Sequence, residues 1–205
     1  HRVLCDFFSK LPGEERTGER LLRMFEEGWA ALSRRYLRMA GVDRLRDSAI
    51  EQLQRFARQH DLLAHPFMVE PYFQVALAPD ITLFGRLDRI DEEADGSLHI
   101  IDYKTGAQPD EVDAGQLRLY AIMAEEKLRR PVSRASFWYL DDGQVWTMDL
   151  GDEDKRQARD ELLAAVQEMQ DVDDFPPTIG PHCLHCPYFR PCEYRDEILR
   201  RAEGW

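Results

Sequence analysis

The sequence predicts an α/β protein, a mixed sheet flanked by helices with a small cysteine-bearing module at its C-terminal end. Two observations predict it. Apolar residues recur at helical spacing through roughly the first sixty positions, and from His65 the pattern changes to short β-type runs separated by turn signals. Those runs are interrupted by one helical segment and followed by another, the order expected of a sheet covered by helices.

Each element has its own reason. "HRVLCDFFSK" reads as a short amphipathic helix ended by the Leu11-Pro12-Gly13 break. "GERLLRMFEEGWAALSRRYLRMAG" sets Leu21, Leu22, Phe25, Trp29 and Leu32 on one face, with Gly41 as the stop. These stripes read as core. A third helix is expected from about Asp47 to His60, with Ile50, Leu53, Phe56 and Ala57 facing inward. "FMVEPYFQVAL" follows as a strand whose Pro71 suits an edge or a bulge. "ITLFGRLDRID" and "LHIIDYK" read as its successors, joined by a turn at Asp95-Gly96. A helix over residues 114–130, the strands "RASFWYL" and "QVWTMDL", and a helix from about Glu153 to Gln170 complete the core. "DFPPTIGPH" reads as an extended linker. One domain over residues 1–205 is expected: a helical part (1–64), a sheet core (65–175) and a cysteine-containing tail (176–205).

The chain of 205 residues is 43% hydrophobic and 32% charged, with 39 acidic against 27 basic residues and a net charge of −12. That balance argues against broad, sequence-independent nucleic-acid binding, which relies on lysines and arginines neutralising phosphates. It leaves room for acidic clusters that hold divalent cations. No apolar run is long enough to suggest a membrane span and no secretory leader is evident, so a cytoplasmic protein without membrane contact is expected. The first residue is His1 rather than Met, as in a piece of something longer.

The run "HIIDYKTG" (99–106) carries the chemistry. Strand interiors are depleted in Asp and Lys, yet Asp102 and Lys104 stand here two apart, on one face and about 6.5 to 7 Å from each other at Cα. A hairpin of 81–91 with 98–104 can bring Asp88 opposite Asp102. Two converging carboxylates suit a hard divalent cation such as Mg²⁺ or Mn²⁺, and a neighbouring lysine can orient a water and offset charge on a phosphate. For an arbitrary D-x-K triplet an exposed ladder on an edge strand is the plain alternative. Gly85 inside the preceding strand and the turn after Lys104 favour the site.

"GRLDRID", "IIDYKTG" and "QLRLY" together resemble the RecB-family, AddB-like and CRISPR-associated branch of the PD-(D/E)XK nuclease superfamily, over nearly the whole chain. The resemblance implies a restriction-endonuclease-like core and metal-dependent hydrolysis of DNA phosphodiesters. It makes Asp88 and Asp102 metal ligands, Lys104 the catalytic lysine and the Tyr103 carbonyl a further ligand. Gln116 and Tyr120 match the Q-x-x-x-Y helix motif, four apart on one helix face, and are implied to order the site and contact DNA. His1 corresponds to the metal-ligating histidine of a G-x-x-x-H signature. Glu70 is a weaker candidate for an accessory acidic role. Arg86 and Arg118 are expected phosphate contacts, whereas Arg89 reads as half of a surface ion pair. DNA, single-stranded or at ends, is the implied partner, with a helicase partner or fused helicase domain.

Cys183, Cys186 and Cys192 form C-x₂-C-x₅-C within "HCLHCPYFRPC", a spacing that suits zinc or an iron–sulfur cluster. The resemblance favours a structural [4Fe–4S] cluster whose fourth ligand lies upstream of this sequence, with Cys5 the lesser alternative. His182 or His185 could complete a zinc site instead. The rival functional readings are a non-catalytic DNA-binding or structural module of a helicase–nuclease assembly, and a nuclease of CRISPR spacer acquisition.

Overall fold

A computed structural model of the chain describes residues 1–32, 41–174 and 176–205. These residues form two compact units, His1–Leu162 and Leu163–Trp205. The first is an α/β body. Its five-stranded mixed sheet runs in the order β1 (Met68–Val69), β4 (Arg89–Glu92), β5 (Leu98–Lys104), β6 (Val132–Tyr139), β7 (Val145–Asp149). Only β5 and β6 pair in parallel, and the helix α4 (Gly115–Leu128) provides the crossover that a parallel pair requires. Strands β2 (Tyr72–Ala78) and β3 (Ile81–Arg86) form a separate antiparallel hairpin.

Side-chain alternation along β5 divides the core. Leu98 and Ile100 join the cluster beneath α4, with Ile90, Leu117, Ala121 and Phe137. Ile101 and Tyr103 face the opposite cluster, built from Leu4, Phe7 and Phe8 of α1 (Arg2–Lys10), Leu21 of α2 (Gly18–Ala30) and Leu53 and Phe56 of α3 (Val42–Gln59). A strand buried on both faces belongs at the centre of a helix-covered sheet. Asp102 and Lys104 follow the parity of Ile100 and therefore lie on the α4 side. Each fully buried Leu, Ile or Phe in these layers contributes roughly 1.5–3 kcal/mol.

Three expectations need correction. "ITLFGRLDRID" is not one strand: it breaks at Leu87–Asp88 into β3, which belongs to the separate hairpin, and β4, which enters the five-stranded sheet. The cause is a second partner, since Leu87 N–H donates to the Pro71 carbonyl (3.1 Å) and not across the ladder to β5. Gly41 caps the start of α3 at φ +80°, and that helix begins five residues earlier than expected. Residues 33–40, the end of the second predicted helix, lie outside the described residues. Within α2 only Leu21 is fully buried; Phe25 and Trp29 line a cleft.

Two partly buried histidines make the fold acid-sensitive. His60 stacks on Trp138 (ring centroids 4.0 Å apart), and burial, aided by the Arg89 charge, lowers its pKa to about 4. His99 shares a 2.7 Å hydrogen bond between Nε2 and Ser136 Oγ, and its pKa is also lowered to about 4, by burial and then by Arg134. Its Nδ1 lies 3.5 Å from Glu93, but at neutral pH this ring is uncharged and the contact is no ion pair. Both folded values lie below the ordinary 6.5, so the unfolded chain binds more protons in between. Stability is full above pH 6.5 and falls as the pH drops toward 4, by roughly 3 kcal/mol for His99 alone. Thermal unfolding from pH 7 to 4.5 should show this decline, and His60→Phe should flatten it.

Candidate active site

The site assembles where β4 and β5 end. Arg89 pairs with Ile101 in the antiparallel register, which sets Asp88 opposite Asp102 at the next step. The ladder stops there, because Leu87 is drawn to Pro71. Asp88 fills the gap with its side chain: Oδ2 accepts the Tyr103 N–H at 2.8 Å. In an antiparallel ladder one residue presents N–H and C=O to the same neighbour, so the Tyr103 carbonyl is turned toward this same open end. His1, on the opposite side at the head of α1, brings Nδ1 to 3.4 Å from Asp88 Oδ2. A hydrogen bond with Asp88, only partly countered by burial, raises the His1 pKa.

A second line of contacts runs from β5 to α4. Lys104 Nζ lies 2.8 Å from Asp102 Oδ2 and donates to Gln116 Oε1 at 2.6 Å. Gln116 Nε2 then donates to Tyr120 OH at 2.8 Å, as residues four apart on a helix allow. The ammonium also rests 4.6 Å from the centroid of the Phe137 ring. Asp102 is buried, and desolvation raises its pKa, with the Asp88 charge adding and Lys104 offsetting. The Lys104 ammonium at 2.8 Å is the charged partner of the buried Asp102 Oδ2, which has no other polar partner among the described residues.

That oxygen, Asp88 and the Tyr103 carbonyl are hard donors, the chemistry Mg²⁺ or Mn²⁺ takes. Among the described residues no three His, Cys, Asp or Glu side chains are already gathered as a group that could hold a metal ion. At this sheet end Asp102 is engaged with Lys104, and Asp88 with Tyr103 and His1. The donor types fit a divalent cation; the protein holds them in pairs.

Of the remaining candidates, Arg118 is half-buried on α4 and forms no ion pair among the described residues. Arg86 is exposed but lies 3.4 Å from Glu70 Oε2. Arg89 corrects the sequence reading. It does pair with Asp91, but at 2% exposure, with its guanidinium over the Phe8 ring at 4.6 Å. Aromatic rings from α1 and β6, far away in sequence, bury it. Beside His1 opens a cleft of about 570 Å³ lined by Arg2, Asp6, Phe25, Trp29 and Leu32. The helical stripe of α2 signalled those aromatics as core; only their neighbours in space show the cleft. In the second unit Cys183, Cys186 and Cys192 are free thiols, and Cys183 Sγ points to the Thr178 carbonyl at 3.9 Å.

A helix-covered mixed sheet with two acids and a lysine at the end of its central strands is the architecture of the restriction-endonuclease-like class. The chain belongs to the PD-(D/E)XK nuclease superfamily, whose family model matches residues 1–193. Membership implies a metal-dependent nuclease. No curated protein matches the chain. Among solved structures that do, one described as "Crystal structure of SSO0001" is 14% identical, with 83% of this chain and 92% of that one covered at a TM-score of 0.43. That likeness is too loose to carry an argument.

Proposed function

We propose that this chain is a Mg²⁺- or Mn²⁺-dependent deoxyribonuclease of the RecB type, an exonuclease acting on single-stranded DNA or DNA ends in repair or recombination, in concert with a helicase. The observation that supports it most is the meeting of Asp88, Asp102 and Lys104 at one sheet end, with Gln116 and Tyr120 completing the line. His1, Asp88, Asp102 and the Tyr103 carbonyl would hold the cation. A bound divalent cation polarises the scissile phosphate and acidifies a water. Lys104 orients that water and meets the negative charge that develops on the phosphate. Gln116 fixes the Lys104 ammonium, and Tyr120 fixes Gln116, so the charge is placed before the substrate arrives. Arg118 offers a phosphate contact. Cys183, Cys186 and Cys192 would hold a structural [4Fe–4S] cluster with a fourth cysteine outside this sequence, or zinc with His182 or His185; three ligands alone leave either site open.

The test uses end-labelled linear single-stranded DNA and the same sequence circularised, with Mn²⁺. Linear DNA should be degraded, circular DNA spared, and EDTA should stop the reaction. Equal cleavage of the circle would contradict the exonuclease reading, and EDTA-resistant cleavage would contradict metal dependence.

A further inference from the structure

The chain leaves the five-stranded sheet at one turn, Glu70–Pro71, and returns to it at another, Leu87–Asp88. The two turns are tied together: the Glu70 N–H donates to the Asp88 carbonyl at 2.8 Å, and the Leu87 N–H to the Pro71 carbonyl at 3.1 Å. Glu70 sits at φ +47°, in the left-handed region that glycine occupies freely and a long side chain does not. It also precedes a proline, a position normally restricted to extended backbone. A residue serving only the bend would be glycine or asparagine.

The side chain explains the choice. Its carboxylate lies 3.4 Å from Arg86 Nη1 on the strand that leads to Asp88. On α1, one helical turn after His1, burial first and then the Glu70 charge raise the pKa of Cys5. Glu70 thus touches both the strand that delivers Asp88 and the backbone of Asp88 itself. Strained residues held this way by their surroundings cluster at functional sites.

We propose that Glu70 is a positioning residue for Asp88: its strained backbone N–H fixes the Asp88 carbonyl, and its carboxylate locks that conformation through Arg86. This rests on the nuclease reading above, in which Asp88 holds the cation. The outer partners of metal ligands typically change affinity 10–100-fold when removed.

Mn²⁺ titration calorimetry and thermal unfolding on the full chain test it, using wild type, Asp88→Ala, Glu70→Gly and Glu70→Gln. Glu70→Gly relieves the backbone strain, so its unfolding midpoint should stay at or above that of wild type, while Mn²⁺ binds about tenfold more weakly. Glu70→Gln should fall between the two in affinity. Wild-type Mn²⁺ affinity in Glu70→Gly would overturn the proposal, as would a loss of affinity accompanied by an equal loss of midpoint, the mark of a structural role. Wild type and Asp88→Ala binding Mn²⁺ alike would instead bring down the nuclease reading, and this inference with it.

Discussion

Asp102→Asn is expected to abolish hydrolysis, by about 10³-fold or more, and at the same time to stabilise the metal-free protein. Both effects have one cause. Burial raises the pKa of Asp102, with the Asp88 charge adding and Lys104 offsetting. An acid whose folded pKa exceeds its unfolded value of 3.8 contributes stability at low pH. That contribution is lost as the pH rises through the folded value. At neutral pH the ionised carboxylate therefore opposes folding, and a neutral isostere removes the penalty. Lys104 keeps Gln116 as its acceptor and stays one-third exposed, so its charge is not stranded. Added Mn²⁺ should raise the unfolding midpoint of wild type, because a ligand of the folded state stabilises it, and leave that of the variant almost unmoved. A drop in the metal-free midpoint on substitution would count against this account of the buried carboxylate.

Arg89→Ala carries the largest expected loss of stability. The guanidinium grips Asp91 through two 2.7 Å hydrogen bonds and lies over the Phe8 and Trp138 rings at 4.6 and 5.5 Å. Burial is the largest single influence and disfavours its charge, but the bonds to Asp91, with Tyr103 and the Asp91 charge adding, together outweigh it and keep its pKa above the ordinary arginine value. Truncation leaves Asp91 without its partner and a void under the rings, about 3 kcal/mol or more. In a protein of this size that lowers the melting temperature by roughly 6–12 °C. Arg89→Lys cannot reproduce the bidentate grip or the stacking and should recover only part. Replacing both partners, Arg89→Met with Asp91→Leu, should recover most of it, since an apolar pair escapes the desolvation cost. A melting temperature within 2 °C or so of wild type for Arg89→Ala would contradict the burial argument.

What the sequence disclosed and what it withheld follow from where each signal resides. Asp102 and Lys104 were legible because alternation puts them on one face whatever the strand pairs with. Gln116 and Tyr120 were legible for the same reason on a helix. The break at Leu87–Asp88 was not, since no glycine or proline marks it and the deciding partner, Pro71, is sixteen residues away. Arg89 looked like a surface charge because its burial comes from Phe8 and Trp138, which only the tertiary fold brings near. Glu70 ran against the local rule, a non-glycine at positive φ before proline, and no residue preference foretells that. The break, Arg89 and Glu70 all lie at the joint that builds the site, where tertiary contacts override local pattern.

The most direct measurement is the rate of Mn²⁺-dependent cleavage of linear single-stranded DNA by wild type, Asp102→Asn and Lys104→Ala, with folding of each checked by thermal unfolding. The account predicts EDTA-reversible cleavage by wild type and background rates from both folded variants. Cleavage by either variant at the wild-type rate would contradict it.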